Sequence, residues 1–351
     1  MHEKFLLAAL EQAMHGQGLC APNPCVGAVA VQDGKIIAQA WHKGAGTPHA
    51  EQLLLEQLPP NIPRLQLYIT LEPCNHWGRT PPCVDQIIKH GVEEVIFAFK
   101  DPNPLVAKNN SSEKLKKHGI KVQHSPIAAI DAFYKSYMHW MQTNKPRVTF
   151  KLAQTLDGKI AGANGERIQL SNSLCEQFTH KERAKTDVIL TTSKTILADN
   201  PLLNARLSQT TISKPVAIID SHCALGLGFN IFTTASYCLL YHLEGKTYPT
   251  KVSHSLFPMP LKNGKMDLLA VIEHLGGLGF HDVWVEAGSE LFTAMHLEGL
   301  VNKTYLYIVP KILGKTALSA YQHSGLFDPA HTLSWHEMGD NMIACLDWQG
   351  D

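Results

Sequence analysis

His49, Glu51, Cys74 and Cys83 are the residues of this 351-residue chain whose types and spacing most directly specify chemistry. A histidine nitrogen and two thiolates make three of the four tetrahedral ligands that zinc prefers, and stopping at three leaves one position for water. Water bound there loses a proton near pH 7 and becomes a nucleophile. Glu51, two residues from the histidine, offers a carboxylate that can take up that proton without ligating the metal. Taken singly these residues are ordinary, since His49 is one of nineteen histidines and lone cysteines are commonly buried core thiols. In this order they predict a zinc site with a proton carrier beside it.

Such a site needs elements that converge. Thr47 and Pro48 predict a helix start, with Thr47 as the cap and Pro48 in the first position, where a missing N–H costs nothing. His49 and Glu51 then fall in the first turn. In mid-helix they would point about 200° apart, but at the open end both reach one point beyond it. Leu67 to Leu71 reads as a buried strand, with Glu72-Pro73-Cys74 leaving its end. Thr80-Pro81-Pro82-Cys83 opens a second helix, running to about His90 and stopped by Gly91. Two helix starts beside one strand end would bring the ligands together, and their dipoles favour thiolates there.

One histidine, two cysteines and a non-ligating glutamate form the signature of zinc-dependent nucleobase deaminases, usually with Pro-Cys-x-x-Cys. Here eight residues separate the cysteines, Asn75-His76-Trp77-Gly78-Arg79-Thr80-Pro81-Pro82. With Pro22-Asn23-Pro24-Cys25-Val26-Gly27 upstream and Asp101-Pro102-Asn103-Pro104 downstream, the chain resembles the bifunctional riboflavin-biosynthesis deaminase–reductases over nearly its whole length. The resemblance implies an α/β protein of two parts: an N-terminal three-layer α/β/α cytidine-deaminase-like domain (1–144) and a C-terminal dihydrofolate-reductase-like α/β domain (147–351). It implies zinc and NADPH as cofactors, small pyrimidine ribosyl phosphates as substrates, and a homo-oligomer, a dimer. It also implies that Asn23 binds the pyrimidine and that the insert shapes the pocket. A deaminase of cytidine, deoxycytidylate or transfer-RNA adenosine would instead show the short cysteine spacing and lack the C-terminal half. A non-catalytic zinc-stabilised binding protein would have no use for Glu51.

Length and composition agree. The chain can bury two cores, and Lys+Arg and Asp+Glu balance at 31 each, so no global basic field exists to hold nucleic acid. Met1-His2-Glu3-Lys4-Phe5 runs into an amphipathic pattern that is neither signal peptide nor membrane span. Eight scattered cysteines form no disulfide framework, and thiolate ligands suit a reducing cytoplasm.

The pattern divides at Thr143-Asn144-Lys145-Pro146, a polar break with a proline. Before it the expected order is helix 4–16, strand 26–31, an Asp33-Gly34 turn, strand 35–40, the metal segment, strand 94–99, helix 113–118 ended by Gly119, and strand 120–123. After it come strand 147–153, a turn through Leu156-Asp157-Gly158, helix 173–185, and strands 187–192, 215–220 and 237–241. Helix 266–275, strand 282–286, helix 289–299 and strand 303–309 complete it. The stretch 220–262 has no clear period. No Gly-x-Gly-x-x-Gly follows a strand, which excludes the usual dinucleotide fingerprint. Glu286-Ala287-Gly288-Ser289 sits at a strand-to-helix turn whose N–H groups could bind a phosphate.

Lys151-Leu152-Ala153, Leu156-Asp157-Gly158, Thr195 to Pro201 and Leu203-Asn204-Ala205-Arg206 resemble the reductase half of the same enzymes. That resemblance places Ala153, Gln169, Thr195, Asp199, Ser221, Gly288 and Ser289 against NADPH. It places Lys151, Arg167, Arg183, Leu203, Arg206 and Glu286 against substrate; arginine forks match phosphate oxygens. Asp199 or Lys151 would supply the proton of the reduction. Two positions depart from the family. Gln169 stands where a tryptophan is usual, which removes stacking area and predicts weaker NADPH binding or a C-terminal half kept for binding or assembly. Val106-Ala107-Lys108-Asn109-Asn110 lacks a usual glycine, which asparagine can replace in left-handed backbone.

Overall fold

The computed structural model describes residues 2–77, 81–104, 110–248 and 254–348. Two units separate at the polar break, Met1–Asn144 and Lys145–Asp351. Residues Gly78, Arg79 and Thr80 of the insert, and Val106 to Asn109, lie outside the described residues.

The first unit is built on a five-stranded sheet, β1 (Gly27–Gln32), β2 (Lys35–Trp41), β3 (Gln66–Leu71), β4 (Glu94–Phe99) and β5 (Lys121–His124), in the order β2-β1-β3-β4-β5. β1 pairs antiparallel with β2 and β3, while β3, β4 and β5 run parallel. Alternate side chains face opposite sides. Ala28, Ala30, Leu67, Ile69, Val95 and Phe97 pack under α2 (Ala50–Leu55), α3 (Cys83–Lys89) and α4 (Ser111–Lys117). Val29, Val31, Tyr68, Ile96 and Ala98 pack under α1 (His2–Met14), α5 (Ala128–Phe133) and α6 (Lys135–Thr143). The result is three layers, helix–sheet–helix. Gly27 permits the tightest seam: a Cβ there would lie 2.0 Å from the Ala9 carbonyl oxygen of α1.

The expected helix start at Thr47 is corrected. The Thr47 hydroxyl donates to Gly44 O rather than capping a helix, and Pro48 is not its first residue. His49 is extended and itself stands in the cap position, with the helix proper beginning at Ala50. The second helix starts at Cys83 as expected, and Gly91 just beyond it is left-handed at φ +70°. Asn110 is left-handed too, at φ 44°, where asparagine was expected to tolerate such a turn. Helices α5 and α6 have no counterpart in the sequence reading.

The second unit carries a nine-stranded sheet in the order β13-β12-β11-β8-β16-β6-β17-β20-β19. These are β6 (Arg147–Thr155), β8 (Val188–Thr192), β11 (Pro215–Ile219), β12 (Tyr237–Leu243), β13 (Ser255–Met259), β16 (Asp282–Glu286), β17 (Lys303–Val309), β19 (His331–Met338) and β20 (Asn341–Trp348). Short pairs accompany it: β7 (Lys159–Ala163) with β18 (Ala317–Ser319), β9 (Ala205–Arg206) with β10 (Thr211–Ile212), and β14 (Leu261–Lys262) with β15 (Lys265–Met266). β13 through β17 are mutually parallel, and β20 and β19 close the sheet as an antiparallel hairpin. One face buries Val148, Phe150, Leu190 and Val285 against α10 (Leu268–Gly277) and α11 (Ser289–Leu297). The other buries Ile189, Trp284 and Tyr307 with residues of α7 (Ser173–Lys185), α8 (Ser193–Asp199) and α9 (Ile231–Thr234).

Candidate active sites

In the first unit the chain leaves β3 at Leu71, and the Glu72 N–H is held by Phe99 O of β4 at 2.9 Å. This sets Pro73-Cys74 across the start of α3, where Cys83 N–H approaches the Cys74 sulfur at 3.4 Å and Val84 N–H donates to Cys74 O at 3.2 Å. His49, from the start of α2, brings Nδ1 to 3.2 Å from the Cys83 sulfur and 3.6 Å from the Cys74 sulfur. The three ligand atoms lie within 4.8 Å of one another. One nitrogen and two sulfurs so gathered suit zinc.

The electrostatics fit that donor set. A hydrogen bond from Cys83, with help from His49, pulls the Cys74 thiol down to about 4 despite its burial. The same shared proton, and then burial, pushes Cys83 well up. The two sulfurs share one proton, whose place a cation between them would take. The Cys74 hydrogen bond raises His49 against the effect of burial. Glu51 is 4 % exposed, and burial pushes its carboxyl up, partly offset by His49. Burial thus favours the protonated carboxyl, the form that holds a proton for transfer.

These groups open on a cavity of about 300 Å³ that is also lined by Asn23, His42, His76, Asp101 and Tyr137. His42 is held neutral, its pKa lowered by burial. Its Nδ1–H donates to Pro48 O at 3.1 Å, so Nε2 accepts from the Asn23 amide at 3.0 Å. The predicted pyrimidine contact therefore has a fixed amide orientation.

In the second unit the parallel strands end along one edge, the edge where open α/β sheets bind ligands. Ser221 follows β11, Thr195 and Asp199 lie on α8 after β8, and Gly288 and Ser289 follow β16. Lys151 and Ala153 lie on β6, and Lys151 is in register with Glu286 on one side and Tyr305 on the other. The start of α11, at Gly288, receives no side-chain cap; open N–H groups at such a start are a donor set that phosphate takes.

Arg183 of α7 forks onto Glu286, Nε to Oε1 at 2.6 Å and Nη2 to Oε2 at 2.9 Å. Its remaining nitrogen donates to Asn204 O at 3.0 Å, and Trp284 Nε1 also donates to Glu286 at 2.7 Å. Burial opposes the Glu286 charge, but Arg183 overrides it and holds the carboxyl at about 2. Burial lowers Lys151, with Glu286 opposing. Arg206 reaches the Asn204 side chain at 2.9 Å, beside Leu203, which is buried and left-handed at φ 44°. Arg167 pairs with Asp199 at 3.8 Å near the surface. Gln169 is exposed; its amide donates to Ser171 O at 3.2 Å and Glu176 at 2.9 Å, and Lys311 donates to its carbonyl at 2.7 Å.

Comparison with known proteins agrees with both units. The model of the cytidine and deoxycytidylate deaminase zinc-binding region matches residues 1–99, and that of the RibD C-terminal domain matches 146–342. The riboflavin biosynthesis protein RibD of Escherichia coli is 34 % identical over 330 residues, covering 90 % of this chain and 89 % of that one. Its namesake in Haemophilus influenzae is 33 % identical over 360 residues, covering 96 % and 95 %. The chain belongs to the bifunctional riboflavin-biosynthesis deaminase–reductase family. Solved structures agree: RibD of Acinetobacter baumannii superposes with a TM-score of 0.86 at 27 % identity over 99 % of both chains. The Thermotoga maritima diaminohydroxyphosphoribosylaminopyrimidine deaminase/5-amino-6-(5-phosphoribosylamino)uracil reductase gives 0.85 at 29 %, covering 99 % and 98 %. The match across 146–342 does not favour a deaminase alone.

For a deaminase–reductase, several cavity residues carried no sequence signal of their own. His42 follows β2 without a motif, Tyr137 lies on a helix the reading missed, and His76 sits inside the insert. His76 Nδ1 is buried without a hydrogen-bond partner among the described residues, an atom left for a ligand to satisfy. Asp101 was read only as part of Asp-Pro-Asn-Pro, yet burial raises its carboxyl to about 6.

Proposed function

We propose that residues 1–144 deaminate 2,5-diamino-6-ribosylamino-4(3H)-pyrimidinone 5′-phosphate and that residues 147–351 reduce the ribosyl group of the product, 5-amino-6-(5-phosphoribosylamino)uracil, to ribityl with NADPH. The observation that carries the first step is the buried Glu51 beside the converged His49, Cys74 and Cys83. Zinc held by those three ligands supplies a Lewis acid that makes water nucleophilic at neutral pH. Glu51 would carry one proton from the attacking water to the ring nitrogen and a second, from the hydroxyl then on the carbon, to the amine, so that the carbonyl forms as the C–N bond breaks and ammonia leaves. Asn23, oriented by His42, reads the pyrimidine edge.

For the second step, NADPH bound to this unit would supply the hydride that reduces C1′ of the ribosyl group. Ala153, Thr195, Ser221, Gly288 and Ser289 would hold it along the strand edge. Lys151, Arg167, Arg183, Leu203, Arg206 and Glu286 would frame the substrate. Lys151 and Asp199 are the two candidates for the proton of this step, and burial makes Lys151 a readier donor than an ordinary lysine. We assign the protein to the cytoplasm as a homo-oligomer, a dimer. The free cysteines suit a reducing compartment, and among the described residues no helix is long and apolar enough to cross a membrane. Incubation with the diaminopyrimidine phosphate, with and without NADPH, tests the assignment. Ammonia should appear in both cases and NADPH absorbance should fall only after deamination; absence of ammonia would overturn it.

A further inference from the structure

Two tyrosines three residues apart, at the junction of α5 and α6 and one turn into α6, reach the two walls of the deaminase cavity. Tyr134 is the hinge between the helices, is 1 % exposed, and stacks on Phe99 at 4.9 Å. Its hydroxyl donates to Cys25 O at 2.8 Å. With that proton committed, it accepts from Thr70 at 2.6 Å, and Thr70 in turn accepts the Gly27 N–H at 3.1 Å. This relay holds the segment that carries Asn23, two residues before Cys25. Tyr137, on the same helix face, donates to Asp101 Oδ1 at 3.0 Å, and the same oxygen takes the Asn103 N–H at 2.9 Å. Asn23, Asp101, Asn103 and Tyr137 all line the cavity.

We propose that Tyr134 and Tyr137 are positioning residues of the deaminase, which set the separation of the 22–26 and 101–103 walls and so select the substrate. The model of the deaminase zinc-binding region matches residues 1–99, and both tyrosines and Asp101 follow that segment. They act on the part of the pocket that must distinguish a ribosylaminopyrimidine phosphate from a cytidine nucleotide. A hydroxyl removed here leaves the metal ligands and Glu51 in place. It removes one of the hydrogen bonds that hold each wall in place, which weakens substrate binding more than the chemical step.

The proposal rests on the reading of this cavity as the deaminase pocket, and the full-length zinc-loaded protein tests it. Tyr137→Phe should raise the KM for the diaminopyrimidine phosphate by roughly tenfold while kcat changes by less than about twofold, with zinc content and NADPH-dependent reduction intact. Tyr134→Phe should do the same through the Asn23 wall. In an Asp101→Ala background the Tyr137→Phe effect should vanish, because the tyrosine acts through that carboxylate. Unchanged KM in both phenylalanine variants, or a Tyr137→Phe effect undiminished without Asp101, would overturn the proposal. Wild type that releases no ammonia would sink the reading of the cavity and this proposal with it.

Discussion

In the N-terminal unit the candidate residues, His49, Glu51, Cys74 and Cys83, come from three short segments and gather at one corner of a five-stranded sheet. In the C-terminal unit the candidate residues are strung along the ends of parallel strands from Lys151 to Ser289, joined by a long-range ion pair rather than by a shared ligand. The contrast follows from where each reaction keeps its difficulty. Zinc chemistry needs particular donor atoms, so the protein must spell them out as histidine and cysteine. Hydride chemistry resides in the cofactor, so the protein supplies placement, open backbone N–H groups and a charge pattern, which many residue types can provide.

If the two sites are chemically independent, Glu51→Gln should abolish one and spare the other. The amide keeps size and hydrogen bonding but carries no proton, so ammonia release should fall by about 10²–10⁴-fold or more. Zinc content should persist, and reduction of authentic intermediate should run at the wild-type rate. Near-normal deamination would remove Glu51 from the mechanism, and a matching loss of reduction would mean that the sites are coupled.

The converse cut falls on Arg183. Its pair with Glu286 is largely buried, at 11 % and 14 % side-chain exposure. Breaking such a pair from one side typically costs about 3–5 kcal/mol, because the remaining charge stays desolvated. Arg183→Gln should lower the unfolding transition of the C-terminal unit by an amount of that order and abolish reduction, with ammonia release unchanged. Arg183→Lys should recover little, since an ammonium cannot reproduce the fork. Preserved stability would show that the pair has no structural role.

This asymmetry also explains what could be read from the chain in advance. The metal ligands, the strand before Cys74, the helix from Cys83 and the Gly91 stop are local patterns, and the structure reproduces them. Six of the seven parallel strands of the second unit are visible as apolar runs for the same reason, whereas β13 falls in the stretch without a clear period. Arg183 and Glu286 were named from resemblance as substrate contacts, but their engagement with each other spans 103 residues and has no local signature. The Tyr134–Cys25 bond spans 109 residues and turns on one hydroxyl. Thr47 illustrates the opposite error: a good capping residue in a good position whose hydroxyl is taken by Gly44 O, so that the helix starts two residues after Pro48, at Ala50. Local propensity is a weak prior where a competing bond lies within reach.

Acid should separate the units further. His296 in the C-terminal core donates from Nδ1 to Phe292 O at 2.7 Å and accepts at Nε2 from Thr304 at 2.8 Å, beside Trp348. Burial pushes its pKa down to about 4, against that backbone bond. A histidine in the unfolded chain protonates near 6.5. Its contribution is therefore complete above about pH 6.5 and is lost as pH falls from there towards 4, at a limit of about 1.4 kcal/mol per pH unit. Urea unfolding followed by tryptophan fluorescence at pH 7.5 and 5.5 checks this. Wild type should lose about 1 kcal/mol more than His296→Asn over that interval; equal losses would remove His296 as the source.

The smallest effect expected concerns Gln169, where the resemblance leads one to expect a tryptophan. In this structure the amide is folded onto Ser171 and Glu176 at the surface, and such exposed hydrogen bonds contribute little net stability. Gln169→Trp should therefore be tolerated, and an indole there adds stacking area for NADPH. Aromatic contacts of this kind are worth about 0.5–1.5 kcal/mol beyond burial, or roughly two- to tenfold in affinity. Titration of NADPH into both forms, read by fluorescence as well as by turnover, decides the matter. Tighter binding by the variant would mean that placement of the cofactor is shared with the family and only stacking has been given up. If wild type binds tightly and the tryptophan weakens it, the Gln169 amide with its bonds to Ser171 and Glu176 is itself part of the cofactor site, and the C-terminal unit is more exact in its side-chain demands than the comparison with the zinc site suggests.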